Sequence, residues 1–251
     1  MNVRGLPAAR TLIVAIDGPA GAGKSTAARR LARLLGCLYV DTGAMYRALT
    51  LKALREGTPF DDGSLGCLAR QTSIRLEPLE AVLEPLEANG ASRTDAGRRA
   101  TCRVFLDGLD VTGQIRGVDV TKAVSAVSSF ASVRERLVEV QREIARQAGR
   151  VVMDGRDIGT VVLPGADWKF FLTATIPERA RRRRSELLAE GLEVSQAEIE
   201  EMIALRDELD SSRAVAPLRA APGAVVIDST GKTIDEVVQL MLEYCVGGRP
   251  L

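Results

Sequence analysis

Short apolar runs recur along the chain, and helical patterns separate them. Five of these runs predict strands, at residues 11–17, 37–41, 150–154, 169–173 and 224–228. Continuous rather than alternating apolar runs are typical of parallel strands that helices cover on both faces. The pattern therefore predicts an α/β fold with a doubly wound parallel sheet.

Several segments between the runs repeat apolar positions every three or four residues, the period of a helix that buries one face. The clearest covers residues 132–148 and would end at Gly149, and another covers residues 233–245. Three pairs of residues have the spacing of a capping box, in which side chains satisfy the first N–H groups of a helix. They are Ser132 with Glu135, Ser195 with Glu198, and Thr233 with Glu236.

Two segments interrupt this alternation. Residues from about 60 to 116 are irregular and contain EPLEAVLEPLEANG, in which EPLEA occurs twice, so we expect an inserted loop or hairpin there. Near the end of this segment, an alternating pattern around Asp107 and Gly108 predicts a β-hairpin. The second segment, residues 177–213, is highly charged and largely helical in pattern.

The composition narrows the possible chemistry. The 251 residues are 46% hydrophobic, and basic and acidic residues nearly cancel, 34 against 33, so no overall field favours nucleic acid or a membrane. The sequence has no histidine, which excludes histidine acid–base catalysis, Ser–His nucleophiles and histidine metal sites. Four widely spaced cysteines indicate buried free thiols rather than zinc ligands or disulfides.

The chain has no apolar segment of the kind that targets or spans a membrane. Its first ten residues lack the apolar core of a secretion signal, and no later run is long enough to cross a bilayer. We therefore expect a soluble, cytoplasmic protein with no membrane partner.

Residues 18–25 have the Walker A spacing, G-x-x-x-x-G-K-S. Its glycines let successive backbone N–H groups surround a phosphate, and the following helix points its positive end at the same place. Lys24 would reach the β- and γ-phosphates, and the Ser25 hydroxyl would bind Mg²⁺. We expect this loop to bind ATP or GTP through Gly18, Pro19, Ala20, Gly21, Ala22, Gly23, Lys24, Ser25 and Thr26.

The Walker A spacing alone does not separate GTPases, ATPases and kinases. Neither of the two asparagines, Asn2 and Asn89, precedes a lysine, so the N-K-x-D motif with which GTPases recognise guanine is absent. Transporter and AAA-type ATPases usually need a longer chain. A small kinase fits best.

Polar clusters follow the predicted strands, at the edge where doubly wound folds bind ligands. They are Thr42 with Arg47, then Asp154, Arg156 and Asp157, and a helix-spaced set of Arg206, Asp210 and Arg213. Taken alone, Arg206 and Asp210 also fit a solvated ion pair, and Asp154 fits a strand-end cap. The arginines within 179–184 fit a nucleic-acid patch, but their acidic neighbours favour a lid that covers phosphates.

These stretches together resemble the bacterial cytidylate kinase family, in the nucleoside monophosphate (NMP) kinase group of P-loop proteins. The matching stretches are IDGPAGAGKST, DTGAMYRALTLKAL, DGRDIGTVVLPGADWKFFLTA, ERARRR and RDELDSSRAVAPL. They follow the family's order over nearly the whole chain, and DGRDIGTVV is far more specific than a Walker A loop. The poorest match is at residues 75–103, which look longer than the family pattern.

The resemblance implies a P-loop kinase fold, in which helices flank a five-stranded parallel sheet. The core domain would comprise residues 1–41, 117–176 and 214–251. Residues 42–116 would form the NMP-binding subdomain with a small β insert, and residues 177–213 a short lid with the helix that follows it.

The resemblance also implies the reaction, transfer of the γ-phosphoryl group of ATP to CMP or dCMP with Mg²⁺, with UMP a poor acceptor. Carried over to this sequence, the cytosine-reading residues are Ser125, Arg134 and Asp157, and the monophosphate-binding residues are Arg47 and Arg156, with Thr42 beside them. Residues around the acceptor's ribose and phosphate are Arg206, Asp210 and Arg213. Lid residues facing ATP are Arg179, Arg182 and Arg183. The residues that would act on the transferred phosphoryl group are Lys24, Arg156, Arg182 and Arg213.

Simple chemistry agrees with this assignment. Cytosine carries an amino donor where uracil has a carbonyl, so its pocket needs an acceptor, which Asp157 and the Ser125 hydroxyl would supply. The attacking oxygen belongs to an ionised phosphate, so transfer needs positioning and charge neutralisation rather than a histidine base. For the second shell around Mg²⁺, we favour Asp154 over Asp17.

Other functions remain open from the sequence. The acceptor of a small P-loop kinase could instead be UMP, AMP or shikimate. A nucleotide sensor that binds ATP and signals to a partner would not need the arginines that suit an acceptor phosphate. We expect a monomer that binds small nucleotides and no nucleic acid.

Overall fold

The computed structural model describes residues 11–78, 102–189 and 191–247. The chain forms two compact units. The first contains the described residues up to Gly43 together with those from Arg134 onward, and the second is Ala44–Val133. Residues 117–133, which the family resemblance assigned to the core, thus belong to the second unit.

Sixteen regular elements are described. The strands are β1 (Leu12–Asp17), β2 (Leu38–Asp41), β3 (Ile74–Pro78), β4 (Cys102–Leu106), β5 (Leu109–Asp110), β6 (Arg150–Asp154), β7 (Trp168–Thr173) and β8 (Val225–Asp228). The helices are α1 (Lys24–Leu35), α2 (Thr42–Glu56), α3 (Asp62–Gln71), α4 (Val118–Val127), α5 (Ala131–Ala148), α6 (Ile176–Ala189), α7 (Gln196–Ser211) and α8 (Ile234–Gly247). One 3₁₀ turn, Gln114–Arg116, and one π-helical turn, Ile158–Val162, complete the set.

The first unit is built on a five-stranded sheet in the order β2–β6–β1–β7–β8, and every neighbouring pair is parallel. Its strands lie within one residue of the five predicted runs, so the predicted fold class and sheet are confirmed. Apolar side chains of β1, β7, α1 and α8 form one buried core on this sheet. The register pairs Ile16 and Asp41 with Asp154, so three strands end at the same edge.

The second unit contains a three-stranded antiparallel sheet in the order β3–β4–β5. The predicted hairpin is confirmed, because Asp107 and Gly108 connect β4 to β5 with φ values of 49° and 86°, the conformation that the tight turn requires. Strand β3 and helix α3 were not predicted within the irregular segment. Most of the EPLEA repeat lies outside the described residues.

Two of the three predicted capping boxes are confirmed. The Ser195 and Glu198 side chains cap α7 reciprocally, and Thr233 and Glu236 exchange the same bonds at α8. The box predicted for Ser132 is wrong. Helix α5 begins one residue earlier, and the Ser132 hydroxyl instead donates to the backbone carbonyl of Asp62 at 2.6 Å.

The four cysteines are free thiols. Cys102 and Cys245 are buried as predicted, but Cys67 is exposed, contrary to the expectation, because it lies on the outer side of the short helix α3. Within the described ranges, no helix is both long and apolar enough to cross a membrane.

Candidate active site

The phosphate loop runs from the end of β1 to the start of α1. Gly18, Gly21 and Gly23 have φ values of 144°, 77° and 87°, which side-chain-bearing residues rarely adopt. A Cβ on Gly18 would lie 1.9 Å from the carbonyl oxygen of Leu172 in β7. This glycine is therefore required both by the backbone angle and by the close approach of the neighbouring strand.

Lys24 begins α1 and is 5% exposed. Its Nζ donates to the carbonyl oxygen of Pro19, 2.7 Å away across the loop. Burial and the positive charge of Arg156 lower the pKa of Lys24 to about 7. Asp154 and Asp17 oppose this change only in part, and a phosphate in the loop would add negative charge that favours the protonated amine.

Ser25 and Asp154 meet at the edge of the sheet. The Ser25 hydroxyl donates to Asp154 Oδ2 at 2.8 Å, and the Tyr39 hydroxyl donates to Oδ1 at 2.7 Å. Burial and the nearby Asp41 carboxylate raise the pKa of Asp154 to about 6. A hydroxyl beside two buried carboxylates is an oxygen-only donor set, which suits Mg²⁺. No group of three or more acidic or cysteine side chains that could hold a metal ion occurs in the described parts of the chain.

Asp17 is also buried at this edge but has other partners. Its Oδ1 and Oδ2 accept the backbone N–H groups of Ile158 and Gly159, each at 2.7 Å. Burial raises the pKa of Asp17 to about 6 even though these two bonds oppose the change. Asp17 thus bonds to backbone amides, whereas Asp154 bonds to the hydroxyl of Ser25, the residue expected to bind Mg²⁺.

Thr42 and Asp157 flank the same edge. The Thr42 hydroxyl donates to the backbone carbonyl of Asp154 at 2.8 Å, so it fixes the start of α2 against β6. Asp157 forms an ion pair with Arg134 of α5, and each is 4% exposed. A buried ion pair of this kind needs good geometry and further polar partners to be stable.

Arg156 belongs to a second cluster of charges, centred on Asp210. Its Nε donates to Asp210 Oδ2 at 2.9 Å, and Arg213 pairs with Oδ1 of the same carboxylate. Although burial opposes ionisation, Arg156 and Arg213 hold the pKa of Asp210 below its ordinary value. Burial and Arg156 lower the pKa of Arg206 to about 10, and its Nε has no hydrogen-bond partner among the described residues. Three arginines therefore surround one carboxylate.

The lid arginines have different environments. Arg179 is 4% exposed, and its Nη1 donates both to Asp207 at 3.0 Å and to the carbonyl oxygen of Ala20 in the phosphate loop at 3.2 Å. Arg182 donates to Glu178 and to the carbonyl oxygen of Ser229. Arg183, farther along α6, pairs with the exposed Glu186 at 2.9 Å.

The partners of these arginines were not predicted from the sequence. The Ser229 hydroxyl links Arg182 to the loop, because it accepts from Arg182 Nη1 and donates to the carbonyl oxygen of Ala22, both at 3.1 Å. Asp207 lies in the quoted family stretch beside Arg206, but only its position on α7 reveals that it faces α6. The sequence carried no comparable pattern for Ser229.

Two predicted substrate residues lie in the second unit. Arg47 of α2 donates to the Thr121 hydroxyl of α4 at 3.0 Å. Ser125 follows Thr121 by one helical turn, so both side chains lie on one side of α4. The structure thus brings Arg47 to the helix that carries Ser125.

The first unit has the features of a P-loop nucleotide-binding kinase. Its first strand leads through a glycine-rich loop into a helix that begins with a buried lysine, and arginines gather at the same edge of the sheet. A family model described as cytidylate kinase matches residues 14–246. The chain therefore belongs to the cytidylate kinase family, whose members are transferases of the nucleoside monophosphate kinase type.

Individual relatives agree with the family match. A protein of Symbiobacterium thermophilum named cytidylate kinase is 52% identical over 237 residues, which is 94% of this chain and 96% of that one. A cytidylate kinase of Desulforamulus reducens is also 52% identical over 237 residues, covering 94% and 97% of the two chains. A crystal structure of a Thermus thermophilus protein covers 94% of this chain and 97% of its own at 20% identity, with a TM-score of 0.42, too low to support an argument.

Proposed function

We propose that this protein transfers the γ-phosphoryl group of ATP to CMP or dCMP, giving ADP and CDP or dCDP, in pyrimidine nucleotide metabolism. One observation carries the proposal. Arg156 shares the Asp210 carboxylate with Arg213, and the charges of Arg156 and Arg206 lower the pKa of the nearby Lys24. Cations that would bind the phosphoryl donor, ATP, therefore lie near cations that would bind the phosphate of the acceptor, CMP. Two polyanionic phosphates are the ligands that would neutralise them.

The phosphate loop is the proposed ATP site. Residues 18–26 would surround the phosphates with backbone N–H groups, and Lys24 would contact the β- and γ-phosphates. Ser25 would hold Mg²⁺ directly and Asp154 would hold it from the second shell. Mg²⁺ held there would supply positive charge to neutralise the phosphates. Because Arg179 is bonded to both Asp207 and Ala20, it can support the loop as well as face ATP.

The arginines around Asp210 are the proposed site of the acceptor's phosphate and ribose. Arg156, Arg206 and Arg213 outnumber the one carboxylate at their centre. The Nε of Arg206, which has no partner in the described ranges, is a donor that a phosphate oxygen could accept from. We propose that Thr42 and Arg47 also contribute to binding of the monophosphate.

Asp157 is the proposed reader of the base, together with Ser125 and Arg134. Asp157 is buried and held by Arg134, so an amino group that donates to it would gain a charge-assisted hydrogen bond. Uracil would present a carbonyl oxygen to the same carboxylate and would leave both groups without a donor. This difference is the physical basis for selecting CMP over UMP.

In the proposed step, a phosphate oxygen of CMP forms a bond to the γ-phosphorus of ATP, and the bond to the β–γ bridging oxygen breaks, with its electrons remaining on ADP. The attacking oxygen is already ionised, so no general base is needed. Lys24, Arg156, Arg182 and Arg213 would neutralise the negative charge that spreads over the transferred group. The absence of histidine is compatible with this chemistry.

We also propose that the enzyme acts as a cytoplasmic monomer on free nucleotides, without nucleic-acid or membrane partners. The ion pairs of helix α6 argue against a nucleic-acid partner, because Arg179, Arg181 and Arg183 are each paired with an acidic side chain. Salt-dependent binding to an oligonucleotide would contradict it.

The reaction is tested by an ADP-release assay with ATP and Mg²⁺ against CMP, dCMP, UMP, AMP and GMP. Turnover with CMP and dCMP and little with the others is expected. Preference for UMP or AMP would contradict the proposed base reading, and ATP binding without transfer to any acceptor would favour a sensor.

Asp157→Ala tests base reading directly. Its kcat/KM should fall far more with CMP than with UMP. Because Arg134 would lose its buried partner, some of the variant enzyme could fail to fold. The ratio of the two kcat/KM values does not depend on how much of the enzyme folds, so it is the quantity to compare. An equal fall with both substrates would make Asp157 a structural residue instead.

A further inference from the structure

The π-helical turn Ile158–Val162 directly follows Asp157. Such turns are rare and occur frequently at functional sites. Two side chains from elsewhere in the first unit hold this turn, Asp17 at its first amides and Arg142 at its last carbonyls. We refer to Asp17 and Arg142 together as the turn clamp.

Asp17 engages the start of the turn with both of its oxygens. Each accepts one backbone N–H, from Ile158 and from Gly159, at 2.7 Å, and Asp17 is 2% exposed. Hydrogen bonds to an ionised acceptor are roughly twice as strong as neutral ones. The carboxylate therefore fixes the backbone immediately after Asp157 in a place that water scarcely reaches.

Arg142 engages the end of the turn. Its Nε donates to the carbonyl oxygen of Val162 at 2.9 Å and its Nη2 to that of Val161 at 2.7 Å. The same helix, α5, carries Arg134, which pairs with Asp157. Helix α5 thus holds both the base-reading carboxylate and the far end of the turn that follows it.

We infer that Asp17 is a positioning residue for acceptor specificity, acting through the turn that it shares with Arg142. It touches no substrate in this scheme, but it fixes the backbone on which Asp157 and Arg156 are carried. The inference rests on the proposed function, because it assigns a cause to the proposed preference for CMP. Since Asp17 directly precedes Gly18, Asp17 links the phosphate loop to the turn that follows Asp157.

The test is Asp17→Asn, which keeps the shape of the side chain but places an NH₂ group opposite one backbone N–H. We expect the KM for CMP to rise about tenfold, the preference for CMP over UMP to fall about threefold or more, and the KM for ATP to stay within about twofold. A purely structural role would lower the amount of active enzyme and hence the apparent kcat, but leave the preference unchanged.

The matched control is Thr160→Val in the same turn. The Thr160 hydroxyl is buried and has no hydrogen-bond partner in the described part of the chain. Removing it breaks no bond of the turn, so all three quantities should stay at the wild-type values.

Arg142→Ala keeps the inference testable if Asp17→Asn does not fold. Arg142 is exposed, so the core tolerates its loss. The Arg142→Ala substitution should reduce the preference for CMP over UMP, as Asp17→Asn does, but by a smaller factor. An unchanged preference in every folded variant of Asp17 and Arg142 would overturn the inference, and so would a rise in the KM for ATP alone. A wild-type enzyme without a preference for CMP would overturn the proposed function itself before any variant is compared.

Discussion

Arg156 donates its Nε–H to Asp210 Oδ2 at 2.9 Å and so joins the residues after β6 to the last turn of α7. Asp210 is 1% exposed and also pairs with Arg213. One carboxylate thus holds two arginines that would otherwise repel each other. Their spacing, and with it the fit to a phosphate group, depends on that shared counter-ion.

Asp210→Asn should therefore weaken acceptor binding. Without the carboxylate charge the two arginines separate, and we expect the KM for CMP to rise about tenfold while the KM for ATP changes little. Steady-state kinetics with each substrate varied in turn measures this. Asp235→Asn, which alters only an exposed ion pair with Arg30, is the control, and an unchanged KM for CMP in Asp210→Asn would contradict the role given to Asp210.

Lys24→Met should abolish turnover with both CMP and UMP, by about 10³-fold or more, because no other group in the loop supplies its charge to the transferred phosphate. The same variant should be more stable than the wild type by about 2 kcal/mol near neutral pH, since a buried ammonium is costly. Lys52→Met, which changes a lysine that pairs with Asp107 in the second unit, should retain activity. Loss of stability in Lys24→Met would contradict the expectation.

The stability gain of Lys24→Met should depend on pH. The pKa of Lys24 falls from 10.5 to about 7 on folding, so between these values the unfolded chain binds the proton that the folded chain has released. Wild-type stability should therefore rise with pH through this window, and the advantage of Lys24→Met should be largest below it. Urea unfolding at about pH 6.5 and about pH 9 measures the difference, and equal advantages at both would contradict the pKa shift.

Gly18→Ala should destabilise the first unit by about 3 kcal/mol or more, because its φ of 144° is strained for alanine and its Cβ would overlap the carbonyl of Leu172. Gly36→Ala is the matched control, with a φ of 62° and open space around the added carbon. It should cost only about 1 kcal/mol. Thermal unfolding of the two variants gives the comparison. Equal losses of stability would show that the close approach of Leu172 in β7 does not make Gly18 harder to replace than Gly36.

Ser25→Ala should raise the Mg²⁺ concentration needed for half-maximal activity by about tenfold, because the proposed metal ligand is lost and Asp154 loses its hydrogen bond. Titration of activity with Mg²⁺ at saturating ATP measures this. Ser129→Ala, on the surface of the second unit, should leave the titration unchanged. If Ser25→Ala shifted the KM for CMP but not the Mg²⁺ requirement, the hydroxyl would not be a magnesium ligand.

Much of the first unit could be predicted from the sequence, because its strands β1 and β6 are buried on both faces and hence continuously apolar. The runs at β1 and β6 are correct to within one residue for that reason. The second unit was harder, since α3 contains two glycines within ten residues and has weak helical propensity. The structure shows two reasons why it is a helix, the Asp61 side chain that caps its first turn and the bonds from Ser132 to Asp62.

Part of the candidate site could likewise be predicted from the sequence, and part could not. Residues 18–25 follow a local spacing rule, so the phosphate loop could be read directly from the sequence. The roles of Asp17 and Ser229 could not, because their partners lie far away in sequence and only the tertiary fold brings them together. The role of Asp207 could not either, because it depends on the packing of α7 against α6. The helical spacing of Arg206, Asp210 and Arg213 predicted their proximity, although Arg213 follows the end of α7.

Strand order also has a consequence for how the chain is made. Strand β1 pairs with β6 and β7, so Leu12 needs Arg150 and Val14 needs Trp168. The second unit, by contrast, comes from one uninterrupted stretch of chain. During translation this insert can be complete while β1, which precedes it in the chain, still lacks both neighbours. A nascent chain released before Trp168 would contain every residue of the phosphate loop and yet have no site for a nucleotide.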